Sequence, residues 1–61
     1  MNYKLNVMEL KILDCIFQGK HNLEISEILG ISMSETSAHV EKLYKKFGVS
    51  NRLQIILKYY L

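Results

Sequence analysis

Residues 31–52 read ISMSETSAHVEKLYKKFGVSNR, and this stretch decides the fold. Ser32 with Glu35 three residues later is an S-x-x-E capping box, in which each side chain bonds the other residue's backbone at a helix start. Thr36, Val40, Leu43 and Phe47 then fall at i, i+4, i+7 and i+11, one inner stripe of a helix. Gly48 stands where a helix ends on a left-handed residue. Val49-Ser50-Asn51 makes the exit turn. With the stripe buried, Ser34, Ser37, Ala38, Glu41 and Lys45 lie on the opposite side, flanked by His39, Lys42 and Lys46.

That outward face has the size profile of a helix that enters the major groove of double-stranded DNA. Small residues near its start permit close approach to base edges, and longer basic residues toward its end can reach phosphates. Ser34 and Ser37 can donate to or accept from a base, and Ala38 can pack on a thymine methyl. Glu41 can accept from cytosine N4, against repulsion from the phosphates. Glu35 is occupied by the cap. A plain solvated face accounts for the same residues. Ser34 and Ser37 would be ordinary surface positions, and Lys42, Lys45 and Lys46 a solubility face. Glu41 and Lys45 would be an i, i+4 pair stabilising by a few tenths of a kcal/mol, and His39 a surface or half-buried side chain. Chemistry alone leaves both readings open.

The rest of the chain supplies three more helices. Asn6 with Glu9 is capping-box-like, and Leu13, Ile16 and Phe17 follow helical spacing with Met8, Ile12 and Cys15 beside them. Gly19 ends this helix. Asn22 is the expected cap of a short second helix whose inner face is Ile25, Ile28 and Leu29 and which Gly30 stops. Gly30-Ile31-Ser32 leads into the third. A fourth runs from about Arg52 to the C-terminus and is apolar around most of its circumference. Leu53, Ile56, Leu57 and Tyr60 are expected on the core, with Ile55 and Tyr59 pointing elsewhere. The predicted fold is all-α: one four-helix domain over 1–61, with helices 2 and 3 forming a helix-turn-helix unit.

Sixty-one residues allow one small core, yet 49% of them are hydrophobic. The surplus implies an apolar surface meant for a partner, most simply a second copy. Ile55 and Tyr59, at i and i+4, lie off the expected core stripe; the plain alternative is that they finish the core. The single cysteine, Cys15, cannot form a disulfide within the chain and reads as a small buried hydrophobe. His21 and His39 are isolated, so no zinc set is present and no cofactor is expected. Paired carboxylates in a pocket, an activated nucleophile and a phosphate loop are all missing, which argues against an enzyme. No apolar run is long enough to span a bilayer and no signal peptide opens the chain. A cytoplasmic protein without a membrane partner is expected, nucleoid-associated when bound. Residues 1–30 carry three Lys against four acids; residues 31–61 carry four Lys and one Arg against two Glu. The basic excess is in the second half, a modest footprint for a polyanion.

Leu5, Glu9, Ile12-Leu13, Gly19, Asn22, Glu24-Ile25, Leu29-Gly30-Ile31-Ser32, His39 and Lys46-Phe47-Gly48-Val49-Ser50-Asn51-Arg52 together resemble the LuxR/GerE-type helix-turn-helix domain. The likeness runs from Leu5 to about Ile56. Its most specific part is residues 46–52, similar to the family's K-L-G-V-x-N-R exit. Sigma-factor region 4 domains share the earlier part but usually lack that exit. The resemblance implies a bacterial transcription regulator that places its third helix in the major groove and dimerises through its fourth. It puts the base-facing positions on Ser37, Ala38 and Glu41, and the pairing face on Ile55 and Tyr59. Where the family commonly has T-V-K, this chain has Glu35-Thr36-Ser37, so a usual basic contact is missing; Met8 stands where Arg is usual. Many members join the domain to a receiver or an autoinducer-binding domain, for which there is no room here. The chain is therefore of the stand-alone kind or a piece of a longer protein. The expected partners are DNA and a second copy. The competing expectation is a small module that pairs with a larger LuxR-type regulator and binds little DNA itself.

Overall fold

A computed structural model describes residues 4–60, except for the Tyr60 side chain. The chain forms α1 (Val7–Phe17), α2 (Asn22–Leu29), α3 (Met33–Phe47) and α4 (Arg52–Tyr60). There is no strand among the described residues. Each helix starts for a reason visible in its first residues. The Asn6 side chain accepts from Glu9 N–H at 2.8 Å while Glu9 Oε1 accepts from Asn6 N–H at 3.0 Å. Ser32 and Glu35 do the same for α3, both bonds at 3.0 Å. At α4 the Asn51 side chain accepts from Gln54 N–H, and Gln54 Oε1 accepts from Ser50 N–H.

The start of α2 differs from expectation by one residue. Its N-cap is His21, not Asn22, because Glu24 lies three residues after His21 and its carboxylate accepts from His21 N–H at 2.9 Å. The cap position follows the acid, since one helical turn fixes the reach of that carboxylate.

The helix ends are alike. Gly19 N–H donates to Ile16 O and Lys20 N–H to Cys15 O; Gly48 N–H donates to Lys45 O and Val49 N–H to Tyr44 O. These pairs are the Schellman pattern, which satisfies the last carbonyls and needs a left-handed residue between them. Gly48 has φ 68°.

The core is one cluster: Ile12, Leu13, Cys15 and Ile16 from α1, Ile25 from α2, Val40, Leu43 and Phe47 from α3, and Ile55 from α4. Thr36 is also fully buried, its hydroxyl donating to Ser32 O at 2.9 Å. The expected stripe of α3 is thus buried along its length, and α3 packs on each of the other three helices. Burial pushes the Cys15 thiol above its ordinary range, in keeping with a packing role.

Two expectations fail. Ile28 is 57% exposed, so the inner face of α2 is Ile25 with half-buried Leu29 and buried Ser26. On α4 Ile55 takes the core place expected of Leu53 and Leu57, while Ile56 packs against the core and Tyr59 stays outward as expected. Ile55 is 0% exposed, whereas Leu53 and Leu57 are 65% and 51% exposed and Ile56 is half-buried. The expectation for Tyr60 concerns a side chain outside the described part. The rotation of α4 has a polar cause. The Arg52 guanidinium donates to Lys20 O in the turn between α1 and α2, which brings residues 52, 55 and 56 inward.

Gly48→Ala should destabilise the domain by about 1–2 kcal/mol in urea titrations, the strain of a left-handed alanine. A Cβ at residue 48 would meet only the Lys58 ammonium, at 3.9 Å, so no steric clash adds to it. A neutral result would show that this turn opens without cost.

Candidate nucleic-acid interface

Helix α3 has fifteen residues and spans roughly 22 Å at 1.5 Å per residue. Its buried stripe fixes which side meets solvent. Ser34, Ser37, Ala38, Glu41, Lys42 and Lys45 are all exposed, and His39 is half-buried at the edge. The first two turns of this face are small; the last two carry lysine. The Gly30-Ile31-Ser32 turn and α2 hold the helix start, with Ile31 N–H donating to Ser26 O at 3.1 Å.

The charges of α3 are sorted along its axis. Glu35 lies in the first turn and Lys45 and Lys46 in the last, the order that complements the helix dipole. The Ser32 backbone N–H, and then its side chain, hold the Glu35 carboxyl below the usual range. Glu35 is therefore a structural carboxylate at the entrance of the face. Glu41 stands free in the middle. Among the described residues the ion pair formed is Lys46–Glu9, and the i, i+4 pair of Glu41 with Lys45 is absent.

Lys46 is the member of the predicted set that the structure places differently. Its ammonium donates to Glu9 Oε1 at 2.7 Å and to Lys4 O at 3.0 Å. Glu9 is 1% exposed. Its carboxyl is held low by the Lys46 hydrogen bond first and the Asn6 backbone N–H second, against the opposing effect of burial. Local spacing reveals Glu9 as a capping residue only; its second partner lies 37 residues away. The Arg52–Lys20 bond was equally hidden in the sequence.

The predicted pairing residues separate. Ile55 is enclosed in the core and offers nothing to a second chain. Tyr59 is half exposed, but its ring sits 4.7 Å from that of Phe17, tilted by 52°. Beside Tyr59, α4 presents Leu53 and Leu57, one turn apart, as exposed apolar side chains. No group of three or more His, Cys, Asp or Glu among the described residues could hold a metal ion. None of their helices is long and apolar enough to cross a membrane.

Two helices joined by a three-residue turn, the second with its outer face small and then basic, define a helix-turn-helix domain of the DNA-binding class. The sequence pattern of the luxR family of bacterial regulatory proteins matches residues 4–59. The chain belongs to that family. It is 38% identical over 50 residues to the putative HTH-type transcriptional regulator YhjB of Escherichia coli, covering 82% of this chain and 25% of YhjB. It is 36% identical over 52 residues to the probable transcriptional regulatory protein SgaR of Hyphomicrobium methylovorum, and 33% over 52 to the probable transcriptional regulator ycf29 of Guillardia theta. Each of these alignments covers 85% of this chain and 25% of the relative. The chain thus spans about a quarter of the length of the curated relatives it matches. No solved structure matches it.

Glu9, Glu24 and Glu35 all have lowered carboxyls. Such groups add stability that is fully present above the unfolded value of about 4.3 and is lost as pH falls through the lower folded values. The melting temperature should stay flat from pH 7 to about 5 and fall steeply below about 4, read by circular dichroism. A midpoint that rises on acidification would contradict the assigned bonds.

Proposed function

We propose that this chain reads double-stranded DNA as a symmetric pair, with α3 of each copy in the major groove. The observation that carries the reading is the exposed face of α3, small at Ser34, Ser37 and Ala38 and basic at Lys42 and Lys45, backed by a fully buried stripe. Ser34, Ser37, Ala38 and Glu41 select sequence, with His39 at the edge. Lys42 and Lys45 position the domain on phosphates. Membership of a family of transcriptional regulators supports the role, and the named relatives are regulators by description.

Pairing runs through Leu53 and Leu57 of α4. Two exposed leucines a turn apart on a short helix form a small self-complementary strip, the kind of patch a twofold contact uses. The two α3 helices then meet successive major grooves about 34 Å apart.

Fluorescence anisotropy of labelled duplex pools tests the reading. Two lysines on each of two copies give about four phosphate contacts, so raising salt from about 50 to about 200 mM should weaken binding roughly a hundredfold. Lys45→Ala should weaken binding to every sequence and flatten the salt slope, whereas Glu41→Ala should change which sequence is preferred. Equal losses on all sequences for Glu41→Ala would remove it from the reading set. Folded, paired protein that binds no duplex at low salt would favour the alternative, a module that pairs with a larger LuxR-type regulator. For pairing, Leu53→Asp with Leu57→Asp should give a folded monomer by sedimentation equilibrium. A dimer that persists in this variant would place the contact elsewhere.

A further inference from the structure

Glu9 is a charged group almost wholly enclosed by the fold, and the reading face leaves it without a role. Its Oε1 accepts from Asn6 N–H and from the Lys46 ammonium, while Oε2 is buried with no hydrogen-bond partner. Lys46 is more than a third exposed, yet its ammonium is already shared between Glu9 and Lys4 O. Lys42, one turn earlier on α3, adds its field to the same carboxylate. A buried charge stripped of its one ionic partner is strongly disfavoured. Lys46 is therefore held where it is, and the pair it makes is electrically neutral.

We infer that Glu9 is a positioning residue for sequence reading: it clamps Lys46, and with it the last turn of α3, to the start of α1, so Lys46 serves this clamp and not a phosphate. The inference rests on α3 being the DNA-facing helix. The clamp acts at one end of a rigid rod. Ser34 to Glu41 lie about 8–18 Å along the helix from residue 46 at 1.5 Å per residue, so a small change of angle at the clamp displaces the reading positions by more. A neutral pair releases no counterions when it nears a phosphate, so Lys46 should be silent in the salt slope.

The test uses the same anisotropy titrations, on a selected operator and on random duplex, with E9Q, K46M, K46R, K45M and the double variant E9Q/K46M. Gln at residue 9 keeps an oxygen for Asn6 N–H and loses the charge. The double variant leaves no charge buried alone, so it decides the question where a single variant melts below the assay temperature. K45M should lower the salt slope by about 0.9 per lost contact and keep operator preference. K46M and the double variant should keep the wild-type slope and lose about tenfold in operator preference. E9Q should lose the same preference with a steeper slope, because the freed ammonium becomes available to phosphate. K46R, which keeps the pair, should keep the wild-type preference and the wild-type slope. A K46M or double variant whose slope falls as that of K45M does would overturn the inference, as would E9Q with undiminished preference. These outcomes leave the DNA reading itself standing. Wild-type protein that binds no duplex at either salt overturns both together.

Discussion

The burial of one side of α3 is the constraint on which the rest of this domain depends. Thr36, Val40, Leu43 and Phe47 face inward, and every other helix packs against the helix that bears them. Thr36 is the polar member, and it is admissible because its hydroxyl returns to Ser32 O; a buried hydroxyl with no partner would oppose the packing. Once that side is fixed, the outward face is fixed as well. No further device is needed to turn Ser37, Ala38 and Glu41 toward solvent. The exposed face of α3 is the geometric complement of the core.

A core this small leaves little margin. Each enclosed aliphatic or aromatic side chain contributes about 1.5–3 kcal/mol, and chain entropy offsets most of the sum in a domain of this length. Long-range polar ties therefore matter here more for angle than for net stability, since desolvation cancels much of their attraction. Lys46–Glu9 sets α3 against α1, and Arg52–Lys20 sets α4 against the turn between α1 and α2. Both join residues more than thirty positions apart. Together they convert a loose packing of amphipathic helices into one arrangement.

That division explains what could be read in advance. The capping boxes at Asn6 and Ser32, the glycine stops and the α3 stripe are local, encoded within one or two turns, and all of them were legible in the sequence. So was the set of exposed residues on α3, because it follows from the stripe. The orientation of α4 was not. Its helix is apolar nearly all round, so periodicity offers two equivalent stripes, and the choice between them is made by an arginine bonding a distant carbonyl. Ile55 and Leu53 exchanged places for that reason. The role of Lys46 was hidden in the same way: from spacing it is one more lysine at a helix end, and only the tertiary fold brings the Glu9 carboxylate to it.

The helix junctions carry a consequence for control. After α1 and after α3 the chain turns on a left-handed glycine whose flanking N–H groups are spent on the preceding helix, and the α2–α3 turn is fixed at both ends by Ile31 N–H on Ser26 O and by the Ser32 cap. These bonded connections tie each described helix closely to the next. An incoming signal cannot act by bending α3 away from its neighbours without breaking those bonds. It must act on the domain as a solid object, by masking its outer face.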